Sequence, residues 1–174
     1  MWQLLCPRLY VDSVLDIPLA QLQEHGIRGL IFDLDNTIIG WDRDHLDKNI
    51  EEWLKKLKEL GFKVCLVSNN KKLRVTTFGR LLAIPAIPKA GKPRRRAFRE
   101  AMEILGTKSN TTAVVGDQIF TDVLGGNRLG LYTVLVVPMG KREFIGTRVM
   151  RCMERFVLKN LTKRKLLQKN QIKN

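Results

Sequence analysis

Gly29-Leu30-Ile31-Phe32-Asp33-Leu34-Asp35-Asn36-Thr37 is the stretch that decides the fold. Its first four residues are an unbroken apolar run, as in a strand buried on both faces. Two carboxylates, Asp33 and Asp35, follow where that strand must end. In an open α/β sheet, ligands meet the protein just outside the C-terminal strand ends. Two acids so close together suit divided roles, one ionised and the other trading a proton. A lone Asp-x-Asp after a strand also describes a solvated turn, so the rest of the chain must decide.

Outward from that stretch, strands and helices alternate. Leu46, Ile50, Trp53, Leu54, Leu57 and Leu60 recur at steps of three and four, which predicts a helix over 46–60. Gly61 follows in the place of a left-handed cap. Residues 62–67 read as a second buried strand and 71–82 as a helix. Pro93 suits the first turn of another helix, with Ala97, Phe98, Ala101, Met102 and Leu105 as its inner face. Residues 112–115 and 131–137 read as strands, and 18–25 and 121–129 as short helices. This pattern predicts an α/β fold, a Rossmann-like central parallel sheet with helices on both faces. On that layout the Asp33/Asp35 pair, Ser68 and Asp117 each follow a strand and share one edge of the sheet.

Composition bounds the function. At 174 residues with 44% hydrophobic content, the chain can build one substantial core. The three cysteines, Cys6, Cys65 and Cys152, are too few and too scattered for a disulfide framework or a zinc site. No apolar run reaches membrane-spanning length and no signal segment is evident, which predicts a cytoplasmic protein. A formal net charge of +14 points to anionic partners. Residues 139–174 carry eleven Lys or Arg against two Glu, so the excess concentrates at the C-terminus.

Four segments carry the chemistry. They are Asp33-x-Asp35-x-Thr37, Val67-Ser68-Asn69-Asn70, Gly91-Lys92-Pro93, and Gly116-Asp117-Gln118-Ile119-Phe120-Thr121-Asp122. Their order and spacing over residues 28–137 resemble the haloacid dehalogenase superfamily of phosphotransferases. The strings Phe32-Asp33-Leu34-Asp35-Asn36-Thr37 and Asp122-Val123-Leu124-Gly125-Gly126-Asn127 are closer still to one of its groups. That group is the YqeG-like subfamily IIIA phosphatases, to which phosphatidylglycerophosphate phosphatases belong.

The resemblance implies roles that phosphate chemistry makes sensible. Monoester hydrolysis needs an in-line nucleophile and neutralisation of the phosphoryl oxygens. Asp33 is then the nucleophile, and Asp35 the acid and base. Ser68 holds a phosphoryl oxygen and Lys92 balances the transferring charge. Mg²⁺ is expected on Asp33, the Asp35 backbone carbonyl and Asp117, with Asp122 orienting Lys92 or a metal-bound water. Asp122 alone would also fit a helix N-cap. Thr37, Asn69, Asn70 and Arg94 are the candidates for substrate contact, Thr37 more as a loop-shaping residue. Asp35 separates this chain from the P-type ATPases, which carry Thr there. Only 32 residues lie between Asp35 and Ser68, and 23 between Ser68 and Lys92, so no cap domain is inserted and the site is open.

The sequence divides into a phosphatase domain over 1–140 and a basic amphipathic helix and tail over 141–174. Met150, Met153, Val157 and Leu161 recur at helical spacing beside Arg148, Arg151, Arg155, Lys159, Lys163, Arg164 and Lys165. That helix either packs its apolar face on the domain or lies on anionic lipid at a membrane surface. The resemblance favours phosphatidylglycerophosphate as substrate, with an anionic head group as partner. A nucleic-acid end or a soluble phosphorylated metabolite is the alternative substrate. A non-catalytic RNA- or ribosome-binding module is the alternative function.

Overall fold

The structure is a computed structural model that describes residues 2–140 and 145–167, with the backbone alone for 145–149. Six parallel strands form one sheet: β1 (Leu9–Val11), β2 (Gly29–Phe32), β3 (Lys63–Val67), β4 (Ala86–Ile87), β5 (Thr112–Gly116) and β6 (Tyr132–Val136). Their order across the sheet is β1-β6-β5-β2-β3-β4. β2 therefore sits in the interior, with β3 on one side and β5 on the other. The chain runs out through β3 and β4 and then returns to the far side of β2. That reversal opens a crevice at the strand ends beside β2.

Alternation along the strands builds two cores. Leu30 and Phe32 of β2, Val64 and Leu66 of β3, and Ala113 and Val115 of β5 face one layer. It holds the apolar sides of α2 (Leu19–Glu24), α3 (Lys48–Glu59) and α4 (Lys72–Leu81), through Leu22, Leu54, Leu57, Val75 and Phe78. Ile31, Cys65, Val67 and Val114 face the other layer, against Ala97, Phe98, Ala101 and Leu105 of α5 (Arg96–Leu105). Gly106 ends α5 in the left-handed region at φ 60° and returns its N–H to the carbonyls of Met102 and Glu103. Burial pushes the Cys65 thiol up to about 12, so this cysteine is inert core.

Several expectations change in detail. The helix expected to open at Pro93 begins at Arg96, and residues 92–95 form turns that hold Lys92. The expected helix over 121–129 is a π-helical turn, Ile119–Val123, followed by α6 (Leu124–Asn127). Strands β1 and β4 were not anticipated. They are too short to show periodicity, and Pro85 and Pro88 bracket β4. No domain is inserted between β2 and β3 or between β3 and α5 among the described residues; α3 fills most of the first gap.

The last helix, α7 (Ile145–Lys163), packs over the β6 and β1 end of the sheet. Val157, Leu161 and Leu167 meet Ile119, Val123 and Leu135 there. Partly buried Trp2 and Leu5 of the short N-terminal helix α1 (Trp2–Leu5) join the same cluster. Met153, expected on the inner face, is exposed instead, and the neighbouring Glu154 takes the buried position. The segments 141–144 and 168–174 of the basic tail, and the side chain of Arg148, lie outside the described residues.

Candidate active site

The loop after β2 turns on an apolar plug. Leu34, Ile38 and Ile39 are fully buried, and the N–H groups of Ile38 and Ile39 both donate to the Leu34 carbonyl. Asn36 takes a left-handed φ of 61°, donates its N–H to the Ile39 carbonyl at 2.6 Å and accepts from Trp41 N–H through Oδ1. Burying Leu34 leaves Asp33 and Asp35 on the cleft side of the chain. The Asp33 N–H donates to the Val115 carbonyl, so the sheet ladder itself fixes that residue.

Lys92 reaches into the same point from the opposite side. Its Nζ lies 2.6 Å from Asp33 Oδ1 and 2.6 Å from Asp122 Oδ1. Asn69, at the end of β3, holds the Lys92 backbone from both directions. It accepts from Lys92 N–H at 2.8 Å and donates to the Lys92 carbonyl. Burial pulls the Lys92 ammonium down, but the Asp122 and Asp33 carboxylates outweigh it, and the group stays charged. Burial raises Asp33 to about 7, opposed by Lys92 and reinforced by Asp122 and Asp35. Asp122 folds back under β5, where a Cβ on Gly116 would overlap its side chain. That residue has to be glycine.

Asp117 stands at the end of β5. Thr37 donates to its Oδ1 from 3.4 Å, and the Arg151 guanidinium of α7 pairs with Oδ2 and donates to the Asp117 carbonyl. Arg151 is held in turn by Glu154, whose other oxygen accepts from Ile119 N–H at 2.6 Å. Burial raises the Asp117 carboxyl well above its ordinary value, against the pull of Arg151. Asp33, Asp117 and Asp122 each bring a carboxylate oxygen within 4.8 Å of the others, all three buried. Three crowded carboxylates with hard oxygen donors fit a divalent cation, which would relieve their mutual repulsion. The Asp35 carboxylate stands outside this cluster, so any contribution from Asp35 to a metal falls to its backbone.

Asp35 is engaged elsewhere. Arg74 of α4 donates to Oδ1 from Nε, and Asn70 donates to Oδ2, both at 2.8 Å. The same guanidinium donates to the carbonyls of Gly40 and Arg43, each at 2.9 Å. One residue thus straps the loop after β2 to α4 and fixes Asp35.

These side chains line an open cavity of about 300 Å³ whose walls include Asp33, Asp35, Ser68, Asn70, Lys92 and Trp41. Of the residues expected to touch substrate, Asn69 and Asn70 line the cavity but spend their side chains on Lys92 and Asp35. Thr37 is buried against Asp117. Arg94 is exposed and lines a separate cavity with Ile87, Lys89 and Arg96. The sequence reading missed Trp41, Gln118 and Thr121 on the cavity wall, and Arg74 and Glu154 behind it. Arg74 sits four residues after Asn70, on the turn of α4 that follows a site segment, and that position was the available signal. Nothing local marks Glu154.

Comparison with known proteins agrees with this geometry. Residues 20–130 match the family described as "Hydrolase: haloacid dehalogenase-like hydrolase". The chain is 42% identical over 158 residues to the probable phosphatase YqeG of Bacillus subtilis (strain 168), covering 91% of this chain and 92% of that protein. It is 26% identical over 160 residues to phosphatidylglycerophosphate phosphatase 1, chloroplastic/mitochondrial, of Arabidopsis thaliana, covering 86% of this chain and 46% of that one. Among solved structures, the cobalt-bound deoxy-D-mannose-octulosonate 8-phosphate phosphatase of Haemophilus influenzae aligns with a TM-score of 0.51 at 16% identity, over 78% of this chain and 89% of that one. An uncharacterized protein of Corynebacterium glutamicum aligns at 0.54 with 22% identity, over 75% and 96%. At these identities the structures share the fold.

Proposed function

The chain belongs to the haloacid dehalogenase-like hydrolase family and is a phosphatase, and from that premise we propose that it converts phosphatidylglycerophosphate to phosphatidylglycerol with Mg²⁺ as cofactor. The observation that carries the chemistry is Lys92 set between Asp33 and Asp122, beside Ser68 and Asp35. A carboxylate oxygen of Asp33 attacks phosphorus, the bond to the leaving alcohol breaks, and Asp35 gives that alcohol its proton. Water then attacks the aspartyl-phosphate, Asp35 takes a proton from it, and inorganic phosphate leaves with Asp33 restored. Ser68 and Lys92 hold the phosphoryl oxygens through both steps. Asp33, Asp117 and the Asp35 carbonyl would hold Mg²⁺, which supplies further charge neutralisation at those oxygens when bound.

Two observations support the lipid substrate. The plant relative carries that activity in its name. The cleft is open, with no cap inserted among the described residues to exclude a bulky lipid. No helix among the described residues is long and apolar enough to cross a membrane. The reading is of a protein that meets its substrate at a membrane surface. The test is phosphate release from phosphatidylglycerophosphate in mixed micelles, against soluble phosphomonoesters and 5′- or 3′-phosphorylated oligonucleotides. Preference for the lipid supports the proposal. Preference for a soluble or nucleic-acid phosphate retains the chemistry and replaces the substrate.

A further inference from the structure

The inner face of α7 is spent on the domain; its outer face is not. Cys152, Phe156, Lys159 and Lys163 follow one another at steps of four, three and four, and so share one stripe of the helix. All four are exposed. Phe156 keeps 65% of its surface in solvent, and Met153, one turn earlier on the flank, keeps 46%. Arg155 is exposed on the opposite flank. The single acidic residue between 145 and 167 is Glu154, which is buried and turned inward. Phe156 thus protrudes with Met153 on one flank, the cations Lys163, Lys159 and Arg155 on the other, and no carboxylate among them.

We propose that this outer face of α7 docks on an anionic phospholipid bilayer, with Phe156 and Met153 inserted among the head groups and Arg155, Lys159 and Lys163 on the phosphates. The chemistry favours a bilayer over other partners. Lysine is depleted from protein–protein interfaces. A single phenylalanine offers no platform for successive bases. An apolar wedge flanked by cations is the arrangement of interfacial helices. Placement agrees: Arg151, on the inner side of the same helix, touches Asp117. The proposal rests on the phospholipid reading of the site, whose product is itself an anionic lipid.

The test is co-sedimentation of the full chain with phosphatidylcholine vesicles, with and without about 30 mol % phosphatidylglycerol. Wild type should bind only the anionic vesicles and release them at about 0.5 M salt. Phe156→Ser should weaken binding about tenfold. The double variant Lys159→Gln/Lys163→Gln should weaken it about 25-fold, at about fivefold for each cation. Leu73→Ser, on the exposed side of α4, should leave binding unchanged. Asp33→Asn should also bind as wild type, so docking and catalysis are read separately. Failure of wild type to bind, equal binding to neutral vesicles, or indifference to Phe156→Ser would each overturn the proposal. If phosphatidylglycerophosphate is still hydrolysed in micelles after such a result, the site reading stands without the docking face.

Discussion

Lys92 Nζ and Asp33 Oδ1 lie 2.6 Å apart with only 3% and 9% of their side chains exposed. Almost no water screens this pair. The fold has brought an ammonium from the turn before α5 against a carboxylate at the end of β2, and Asp122 closes the other side. Removing one partner leaves buried charge without compensation, which costs about 3–5 kcal/mol. Lys92→Met should therefore lower the metal-free stability by about that much, measured by urea unfolding. Added divalent cation should recover part of the loss.

Asp33 also makes the metal-free protein sensitive to pH. Burial raises its carboxyl from 3.8 to about 7. The native state thus holds a proton that the unfolded chain releases at lower pH. That contribution to stability is complete below the unfolded value and is lost as pH rises through about 7. In EDTA, the melting temperature should fall between about pH 4 and pH 7. Asp117 and Glu154 are raised by burial in the same direction and add to the slope. Asp33→Asn should make the curve visibly shallower. An unchanged slope in that variant would place the proton elsewhere.

Divalent cation should reverse the trend. Asp33 and Asp117, both raised by burial, carry more charge at about pH 8 than at about pH 5, so Mg²⁺ or Mn²⁺ should raise the melting temperature more at the higher pH. Scanning fluorimetry over a metal titration reads this directly, and Asp117→Asn should weaken the response.

Arg74 touches Asp35 and two loop carbonyls at once, so its loss should be felt in turnover more than in folding. A hydrogen bond to a charged group contributes about 1.5–3 kcal/mol. Arg74→Ala should reduce kcat by at least about tenfold with a smaller change in KM, and expose the segment 40–44 to proteolysis. Arg74→Lys cannot reproduce three directed bonds and should recover little. Equal kcat in Arg74→Ala would remove it from the positioning of Asp35.

The sequence made some of this legible and hid the rest for physical reasons. The interior strands showed themselves because both faces are largely buried, so β2, β3, β5 and β6 each carry a short apolar run, interrupted only by Lys63, Thr112 and Thr133. The segments holding Asp33, Ser68 and Asp117 stand out because each follows a strand, whereas Gly91-Lys92-Pro93 was marked only by the family resemblance. β1 and β4 stayed hidden because three and two residues carry no period. Arg74 and Glu154 stayed hidden because charged residues on helices look alike until the fold shows which ones are buried. Glu154 is the sharper case: periodicity pointed to Met153 as the inward residue, yet the π-helical turn at Ile119 needed an acceptor, and the carboxylate turned in.

The account rests on Asp33 as the nucleophile, and the direct measurement is capture of its phosphorylated form. Acid quenching during turnover, borohydride reduction and peptide mass analysis would convert an aspartyl-phosphate to homoserine at its own position. The account predicts homoserine at Asp33, slower turnover in Asp35→Asn, which lacks the acid of the first step and the base of the second, and no turnover in Asp33→Asn. Homoserine at another carboxylate, or full turnover in Asp33→Asn, would contradict it.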